Sequence, residues 1–143
     1  MTNTDIYTVI GSALTAQNDR MSAIASNLAN VDSIAPPGTK PYQAHEVVFS
    51  ANDAASNDGG DGAQTNIGVS VVGTVLSNAP AKRQYDPGNP YADANGYISG
   101  SNVSQVGQMI DLIDSTNSYS ASIAVLQQAS RVNQQILSSF QVS

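Results

Sequence analysis

His45 is the only histidine of the chain and its first candidate for acid–base chemistry, since it stands directly before Glu46. The two residues fall at the start of a predicted strand, where neighbouring side chains point to opposite faces. A catalytic relay needs its members hydrogen-bonded to one another, so this pair does not predict one. Cysteine is absent from the sequence, which excludes disulfide bonds and thiol catalysis.

Carboxylates occur at a useful helical spacing only at Asp111 and Asp114. Both lie near the start of a predicted helix, where the helix dipole favours negative charge, so a structural role explains them. The run Gly-Gly-Asp-Gly-Ala at 59–63 is similar to one calcium-binding nonapeptide, but such units bind by stacking. Here the unit occurs once, with Gln64 in place of the final Asp. The sequence therefore predicts no enzyme, no metal site and no cofactor.

Charge and hydropathy exclude two further classes of function. The net charge is −6, with only five Lys and Arg residues, whereas nonspecific nucleic-acid binding needs a basic surface. The only basic pair, Lys82-Arg83, is interpreted as part of a solvated turn. No stretch is apolar enough to span a membrane, and the N-terminus lacks the basic and apolar regions of a signal peptide. We expect neither nucleic-acid binding nor direct membrane insertion.

The N-terminal segment predicts a helix from about Asp5 to Asn30, roughly 40 Å long at 1.5 Å per residue. Between residues 6 and 31 its only charges are Asp19 and Arg20. Uncharged polar residues and alanines fill the other faces, which indicates a helix with several neighbours. The alternative is a plain amphipathic core helix of a monomer. Its apolar row has the alternating three- and four-residue spacing of a coiled coil: Tyr7, Ile10, Leu14, Gln17, Met21, Ile24, Leu28 and Val31.

The C-terminal segment predicts a second long helix, from about Val103 to Phe140. Ser104 and Asn102 are its candidate N-caps. Polar residues interrupt its apolar row, which weakens a helix–helix seam but can specify its register and partner. The row consists of Val106, Ile110, Ile113, Tyr119, Ile123, Leu126, Val132, Ile136, Leu137 and Phe140.

Between the helices, the composition changes from the Ala-Pro-Pro-Gly run at 35–38 to about Gly100. Runs rich in β-branched residues predict short strands at 46–49 and 69–75. Turn-forming residues predict a flexible loop at 52–62 and consecutive turns at 85–90 and 93–96. We therefore predict a mainly α fold, in which the N-terminal helix (1–35) and the C-terminal helix (103–143) pair as a coiled-coil-like hairpin around a small β-hairpin insert (36–102).

Particular motifs resemble those of the axial rod and hook proteins of the bacterial flagellum. They are Ser-Ala-Leu-Thr-Ala-Gln at 12–17, Arg-Met at 20–21 and Ala-Ser-Asn-Leu-Ala-Asn at 25–30. Within that family, the chain is similar to a proximal rod subunit in its Tyr-Asp-Pro-Gly-Asn-Pro run at 85–90 and its Ala-Asp-Ala-Asn-Gly-Tyr run at 92–97. The resemblance covers nearly the whole chain. The chain departs from the family at 31–33, at 43–45 and after Tyr119.

The resemblance implies a structural subunit that stacks its terminal helices with neighbouring subunits into a hollow helical rod across the periplasm. Such a rod transmits torque and encloses the channel of the flagellar type III export apparatus. The implied partners are other rod subunits, further copies of the chain and that apparatus, and export would proceed without a cleaved signal peptide. The alternatives are another axial subunit of the flagellum and a non-flagellar small-molecule-binding domain.

The residues expected at assembly interfaces come from the two predicted helices. Leu14, Met21, Ile24 and Leu28 are expected to face Ile123, Leu126, Val132 and Ile136. The amides of Asn27 and Asn30 are expected to bond backbone or neighbouring subunits, or else to cap the helix locally. The full set is Ile10, Leu14, Gln17, Met21, Ile24, Asn27, Leu28, Asn30, Tyr119, Ile123, Leu126, Val132 and Ile136.

Overall fold

Two long helices and five strands make up the described part of the chain, which comprises residues 3–52 and 67–140 of a computed structural model. Helices account for 50% and strands for 22% of the structure. The elements in chain order are α1 (Asn3–Ala29), β1 (Ile34–Ala35), β2 (His45–Asn52), β3 (Gly68–Leu76), β4 (Lys82–Tyr85), β5 (Tyr97–Gly100) and α2 (Gln105–Phe140).

The strands form two separate antiparallel sheets. One is the β2–β3 hairpin, and the other has the strand order β1-β5-β4. In the hairpin, Val48 pairs with Gly73 but Phe49 pairs with Val71, so Val72 is an extra residue on β3. A bulge of this kind increases the local twist of a hairpin.

The prediction of a mainly α fold, with a coiled-coil-like helix hairpin around one β-hairpin, is wrong. The strands predicted at 46–49 and 69–75 lie within β2 and β3, but three further strands form a second sheet. These strands are only two to four residues long, so they show no usable alternation of apolar residues. In addition, α1 packs on β2 and β3 as well as on α2. The loop expected at 52–62 and the glycine-rich run at 59–63 lie outside the described residues, apart from Asn52.

A serine of α1 fixes the hairpin against that helix. Ser12 Oγ donates to the carbonyl of Val9 at 2.8 Å and accepts the N–H of Val69 at 3.1 Å. A Cβ atom added to Gly68 would lie 2.6 Å from the Ser12 oxygen. Glycine is therefore required at 68 for β3 to approach α1 this closely.

Asn102 joins the segments that enter and leave the hairpin. Its Nδ2 donates to the carbonyls of Ser77 and Ala79, both at 3.0 Å, and its Oδ1 accepts the N–H of Ala44 at 2.7 Å. Because Asn102 lies just before α2, these bonds also set where α2 begins relative to the hairpin.

The turns predicted at 85–90 and 93–96 are confirmed as the connection between β4 and β5. Asp93 Oδ1 accepts the N–H groups of Asn95 and Tyr97 at 2.8 and 2.9 Å, and its Oδ2 accepts from Arg83 at 3.1 Å. The hydrogen bond from Tyr97 lowers the pKa of the Asp93 carboxyl, and those from Asn95 and Arg83 lower it further, against an opposing effect of desolvation. Gly96 closes the turn at φ 77°.

The buried apolar core of the described residues contains few large side chains. It consists of Ile10, Ala16, Ile24, Ala35, Ala44, Ile98 and Val103. Most of the large apolar side chains of α2 therefore lie outside it.

Candidate assembly interface

Asn27 joins α1 to β2 and α2, and it is 1% exposed. Its Nδ2 donates to the carbonyl of His45 at 2.9 Å and to Oε1 of Gln108 at 2.8 Å. Its Oδ1 accepts the N–H of His45 at 2.8 Å and the hydroxyl of Tyr42 at 3.1 Å. An asparagine amide has two donor hydrogens and two acceptor lone pairs, so its capacity is filled within the chain. The Asn27 amide is thus an internal anchor.

His45, the only histidine of the chain, belongs to the same network. His45 Nδ1 lies 2.8 Å from the hydroxyl of Tyr42, while Glu46 next to it is exposed. Beside them, a cleft of about 370 Å³ is lined by Arg20, Ala23, Ile24, His45, Glu46, Val47, Phe49, Gln108 and Asp111. Within residues 3–52 and 67–140, no three His, Asp or Glu side chains are grouped so that they could hold a metal ion.

The side of α2 that faces α1 carries several polar side chains. Gln108 bonds Asn27, and Asp111 forms an ion pair with Arg20 at 3.4 Å. The hydroxyl of Ser115 is fully buried without a hydrogen-bond partner, as is Oε1 of Gln17. We call this side the inner row of α2; it consists of Gln108, Leu112, Ser115, Tyr119, Ile123 and Leu126, which are all buried or half-buried.

The opposite side of α2 is exposed along most of the helix. Its first two turns carry four large apolar side chains with exposed fractions between 53 and 69%: Val106, Met109, Ile110 and Ile113. The helix begins directly before them, where Ser104 Oγ accepts the N–H of Gly107 at 3.3 Å, confirming Ser104 as the N-cap. We call this side the outer face of α2; it consists of Val106, Met109, Ile110, Ile113, Asp114, Asn117, Ala121, Ala124, Val125, Gln128, Arg131 and Val132, all exposed.

The last turns of α2 extend past the start of α1. The helices have 36 and 27 residues, and the contact of Asn27 with Gln108 places the start of α1 about level with residue 132. The side chains of Ile136, Leu137 and Phe140, beyond that level, are exposed.

The predicted interface residues occupy three different environments. The Asn27 amide bonds partners within the chain. Asn30 Nδ2 donates to the carbonyl of Ser26 at 2.8 Å, which caps the end of α1. Because the end of α1 meets the start of α2, Leu28 lies far from Val132 and Ile136 along the helix pair. Ile10, Ile24 and Asn27 are buried; Leu14, Gln17, Met21, Leu28, Asn30, Tyr119, Ile123 and Leu126 are half-buried; Val132 and Ile136 are exposed.

The sequence-based set omitted the apolar residues at the start of the outer face. It treated Val106, Ile110 and Ile113 as the beginning of the row that continues at Tyr119, and it did not include Met109. The spacing could have shown this, because Tyr119 stands six positions after Ile113, whereas a continuous helical row advances by three or four. Two rows on opposite sides of the helix explain that gap.

Neither helix in the described part of the chain is long and apolar enough to cross a membrane.

Comparisons with known proteins identify the class. Residues 8–33 match a family model described as "Flagella basal body rod protein", and residues 94–139 match one described as "Flagellar basal body rod FlgEFG protein C-terminal". These matches define a rod protein of the flagellar basal body, and they fall on α1 and on the region from the β4–β5 turn through α2.

Proteins that are similar over most of the chain identify the family within this class. The chain is 46% identical over 122 residues to proteins named "Flagellar basal-body rod protein FlgC" from Escherichia coli O6:H1 and from Salmonella typhimurium, covering 85% of this chain and 86% of each relative. It is 34% identical to the protein of the same name from Bacillus subtilis, covering 82% of this chain and 85% of that relative. The chain belongs to the FlgC family of flagellar basal-body rod proteins.

Proposed function

We propose that this chain is a structural subunit of the proximal rod of the flagellar basal body, and that the outer face of α2 joins it to its neighbours. The observation that carries the proposal is the exposure of four adjacent large apolar side chains: Val106, Met109, Ile110 and Ile113. Exposed apolar patches of this kind mark interaction sites in soluble proteins. Full burial of each side chain contributes about 1.5–3 kcal/mol.

The form of the patch favours a helix as its occupant. The four side chains follow the i, i+3, i+4, i+7 spacing of one helix face, and a helix-in-groove contact is read in these steps. Further along the same face, Ala121 and Ala124 are small and allow a neighbouring helix to approach closely. The helices of this chain have 27 and 36 residues, and helices of this length in neighbouring rod subunits would cover the patch.

The half-buried residues of α1 form a second proposed contact. Leu14, Met21 and Leu28 recur every seven residues on one side of α1 and retain some exposure. A neighbouring subunit would complete their burial. Val132 and Ile136, at 43 and 46% exposure, are proposed contacts at the other end of the helix pair.

Helical stacking into a tube across the periplasm, transmission of torque, enclosure of the export channel and passage through the type III apparatus without a cleaved signal belong to the same proposal. They are supported by the membership of the family and by the paired terminal helices. We propose no catalytic activity, because His45 serves in the Asn27 network and Asp111 serves in an ion pair.

The test is an Ile110→Asp substitution in a strain whose only copy of the gene carries it. Ile110 is largely exposed in the subunit, so we expect the free energy of unfolding to change by less than about 0.5 kcal/mol. Burial of an uncompensated carboxylate in the assembly is costly, so we expect loss of swimming. Mass spectrometry of purified basal bodies should show the variant depleted relative to the other rod subunits.

The matched control is Ile110→Leu, which keeps the apolar contact and should support normal swimming. Recovery of the Ile110→Asp chain at the wild-type amount would contradict the assigned interface. Absence of the wild-type chain from otherwise complete basal bodies would contradict the function itself.

A further inference from the structure

The backbone of β2 fixes the orientation of the Asn27 amide. The backbone N–H of His45 can only donate a hydrogen bond, and the carbonyl of His45 can only accept one. They lie 2.8 Å from Oδ1 and 2.9 Å from Nδ2 of Asn27, respectively. A flipped amide would place donor against donor and acceptor against acceptor, so the hydrogen-bond network allows a single orientation.

The oriented amide in turn fixes the hydroxyl of Tyr42. That hydroxyl lies 3.1 Å from Asn27 Oδ1, which has no hydrogen, so the Tyr42 O–H donates to it. A phenol has only one hydrogen to donate. In its other contacts, with His45 Nδ1 at 2.8 Å and with Ser26 Oγ at 3.2 Å, the Tyr42 oxygen therefore accepts. It follows that Nδ1 of His45 carries a proton.

The second ring nitrogen of His45 is open to solvent. The hydrogen bond of the ring within residues 3–52 and 67–140 is made by Nδ1. The buried side-chain atoms without a partner in that part of the chain are Gln17 Oε1 and Ser115 Oγ, and Nε2 is not among them. His45 lines the cleft of about 370 Å³ described above and a second cleft of about 440 Å³. A proton can therefore reach Nε2 without any change in the Asn27 network.

We propose that the fold holds His45 with a proton on Nδ1, so that acid adds a proton only at Nε2 and changes the charge of the clefts without breaking the anchor at Asn27. The neutral ring with Nδ1–H and the protonated ring both donate from Nδ1, so the bond to Tyr42 is the same in each. Histidine is the side chain that changes charge near neutral pH, and this chain has only one. The inference goes beyond the proposed function, because it concerns how the subunit responds to pH.

Protonation at Nε2 changes what the two clefts can contact. Arg20 already pairs with Asp111 there, and the β3 residues that line the second cleft are uncharged. The charged side chains that line the clefts with His45 come from α1, β2 and α2: Asp19, Arg20, Glu46 and Asp111. The neutral ring accepts a hydrogen bond at Nε2, whereas the protonated ring donates one and carries a positive charge. A group that bonds Nε2 must therefore donate at neutral pH and accept in acid.

Nuclear magnetic resonance of the full chain labelled with ¹⁵N tests the position of the proton. Because the chain has one histidine, the ring signals belong to His45. At a pH above the titration of the ring, we expect the ¹⁵N shift of a protonated nitrogen at Nδ1 and that of an unprotonated nitrogen at Nε2. Below the titration, both nitrogens should be protonated. A neutral ring with its proton on Nε2, or an even mixture of the two forms, would overturn the proposal.

Tyr42→Phe tests the cause of this preference. The substitution keeps the aromatic ring and removes the oxygen that accepts from Nδ1, so we expect Nε2–H to become the major neutral form. Ser26→Ala is the matched control, since it removes the other hydroxyl beside Tyr42 and should leave the proton on Nδ1. Unchanged populations of the two forms in Tyr42→Phe would show that Tyr42 does not set them. The wild-type spectrum tests the proposal even if Tyr42→Phe does not fold.

Hydrogen exchange tests whether the anchor survives protonation of the ring. The His45 amide donates to Asn27 Oδ1, so its protection factor reports on that bond. We expect the same protection factor above and below the titration of the ring. The amide of Val69, which donates to Ser12 Oγ, is the control for any general opening of the subunit in acid. Loss of protection at His45 but not at Val69 as the ring gains its proton would overturn the proposal and leave the proposed function intact.

Discussion

The first turns of α2 depart from the usual arrangement of an amphipathic helix. The inner row, which packs on α1, contains Gln108 and Ser115, whereas the outer face begins with four large exposed apolar residues. Apolar side chains normally face the core of the same subunit. The difference indicates that polar contacts such as that of Gln108 with Asn27 help to order the start of α2 on α1, while four large apolar side chains remain available for contacts between subunits.

The sharpest test of this comparison uses two adjacent residues. Leu112 lies on the inner row and Ile113 on the outer face. Leu112→Asp should lower the free energy of unfolding of the isolated subunit by about 3 kcal/mol, because it places a charge against α1. Ile113→Asp should leave that free energy unchanged to within about 0.5 kcal/mol. Urea unfolding of both purified variants makes the measurement, and equal losses would remove the distinction between the two sides.

Removal of the Asn27 amide should give the next largest effect. Asn27→Ala leaves the N–H of His45 without its acceptor and Gln108 without its donor, so we expect a loss of about 2–3 kcal/mol by the same urea assay. Asn30→Ala is the matched control, since it removes only the bond to the Ser26 carbonyl and should cost about 1 kcal/mol. A loss for Asn27→Ala no larger than for the control would show that the network is not an anchor.

Removal of the buried Ser115 hydroxyl should increase the stability of the subunit. Ser115→Ala removes a polar group that lacks a hydrogen-bond partner and retains the shape of the side chain, so the subunit should gain about 1 kcal/mol of stability. Thermal unfolding followed by circular dichroism measures the gain. Ser120→Ala is the control, because that hydroxyl is exposed and already bonds the carbonyl of Thr116. Destabilisation by Ser115→Ala would mean that the hydroxyl has a partner in solution.

The smallest effect concerns the β4–β5 turn, which belongs to neither side of α2. The folded state lowers the pKa of Asp93, so the ionised carboxylate stabilises the fold. This stabilisation is fully present above the pKa of the Asp93 carboxyl in the unfolded chain. It is lost as the pH falls through the folded pKa. Asp93→Asn should therefore flatten the pH dependence of the unfolding midpoint below about pH 4. An unchanged pH profile would contradict an ionised role for Asp93.

Part of the fold could be predicted because helices leave long periodic patterns. The predicted ends of both helices lie close to the observed Asn3–Ala29 and Gln105–Phe140, and the β-branched runs marked the hairpin. β1, β4 and β5 could not be predicted, since strands such as Lys82–Tyr85 are short and polar and depend on pairing with distant residues. Their pairing is a tertiary effect that local propensity does not contain.

The candidate site could be predicted only in its residue types. Periodicity identified apolar residues on both helices, but it does not say which side of a helix a neighbour occupies. The Asn27 network was equally hidden, because its partners come from two distant segments, Tyr42 with His45 and Gln108, which only the fold brings to Asn27. The Ala-Ser-Asn-Leu-Ala-Asn motif pointed to this asparagine without revealing that its partners lie within the subunit.

The greater length of α2 has a consequence for hydrogen exchange. Among the described residues, its last turns extend beyond the level at which α1 begins, and a short unsupported helical segment is marginal in water. The backbone amides there should exchange with solvent in the free subunit by local fraying, whereas those near Ser115 should exchange only through larger openings of the helix pair. Protection of the amides at 136–140 that arises upon assembly would therefore show when a neighbouring subunit packs against the last turns of α2.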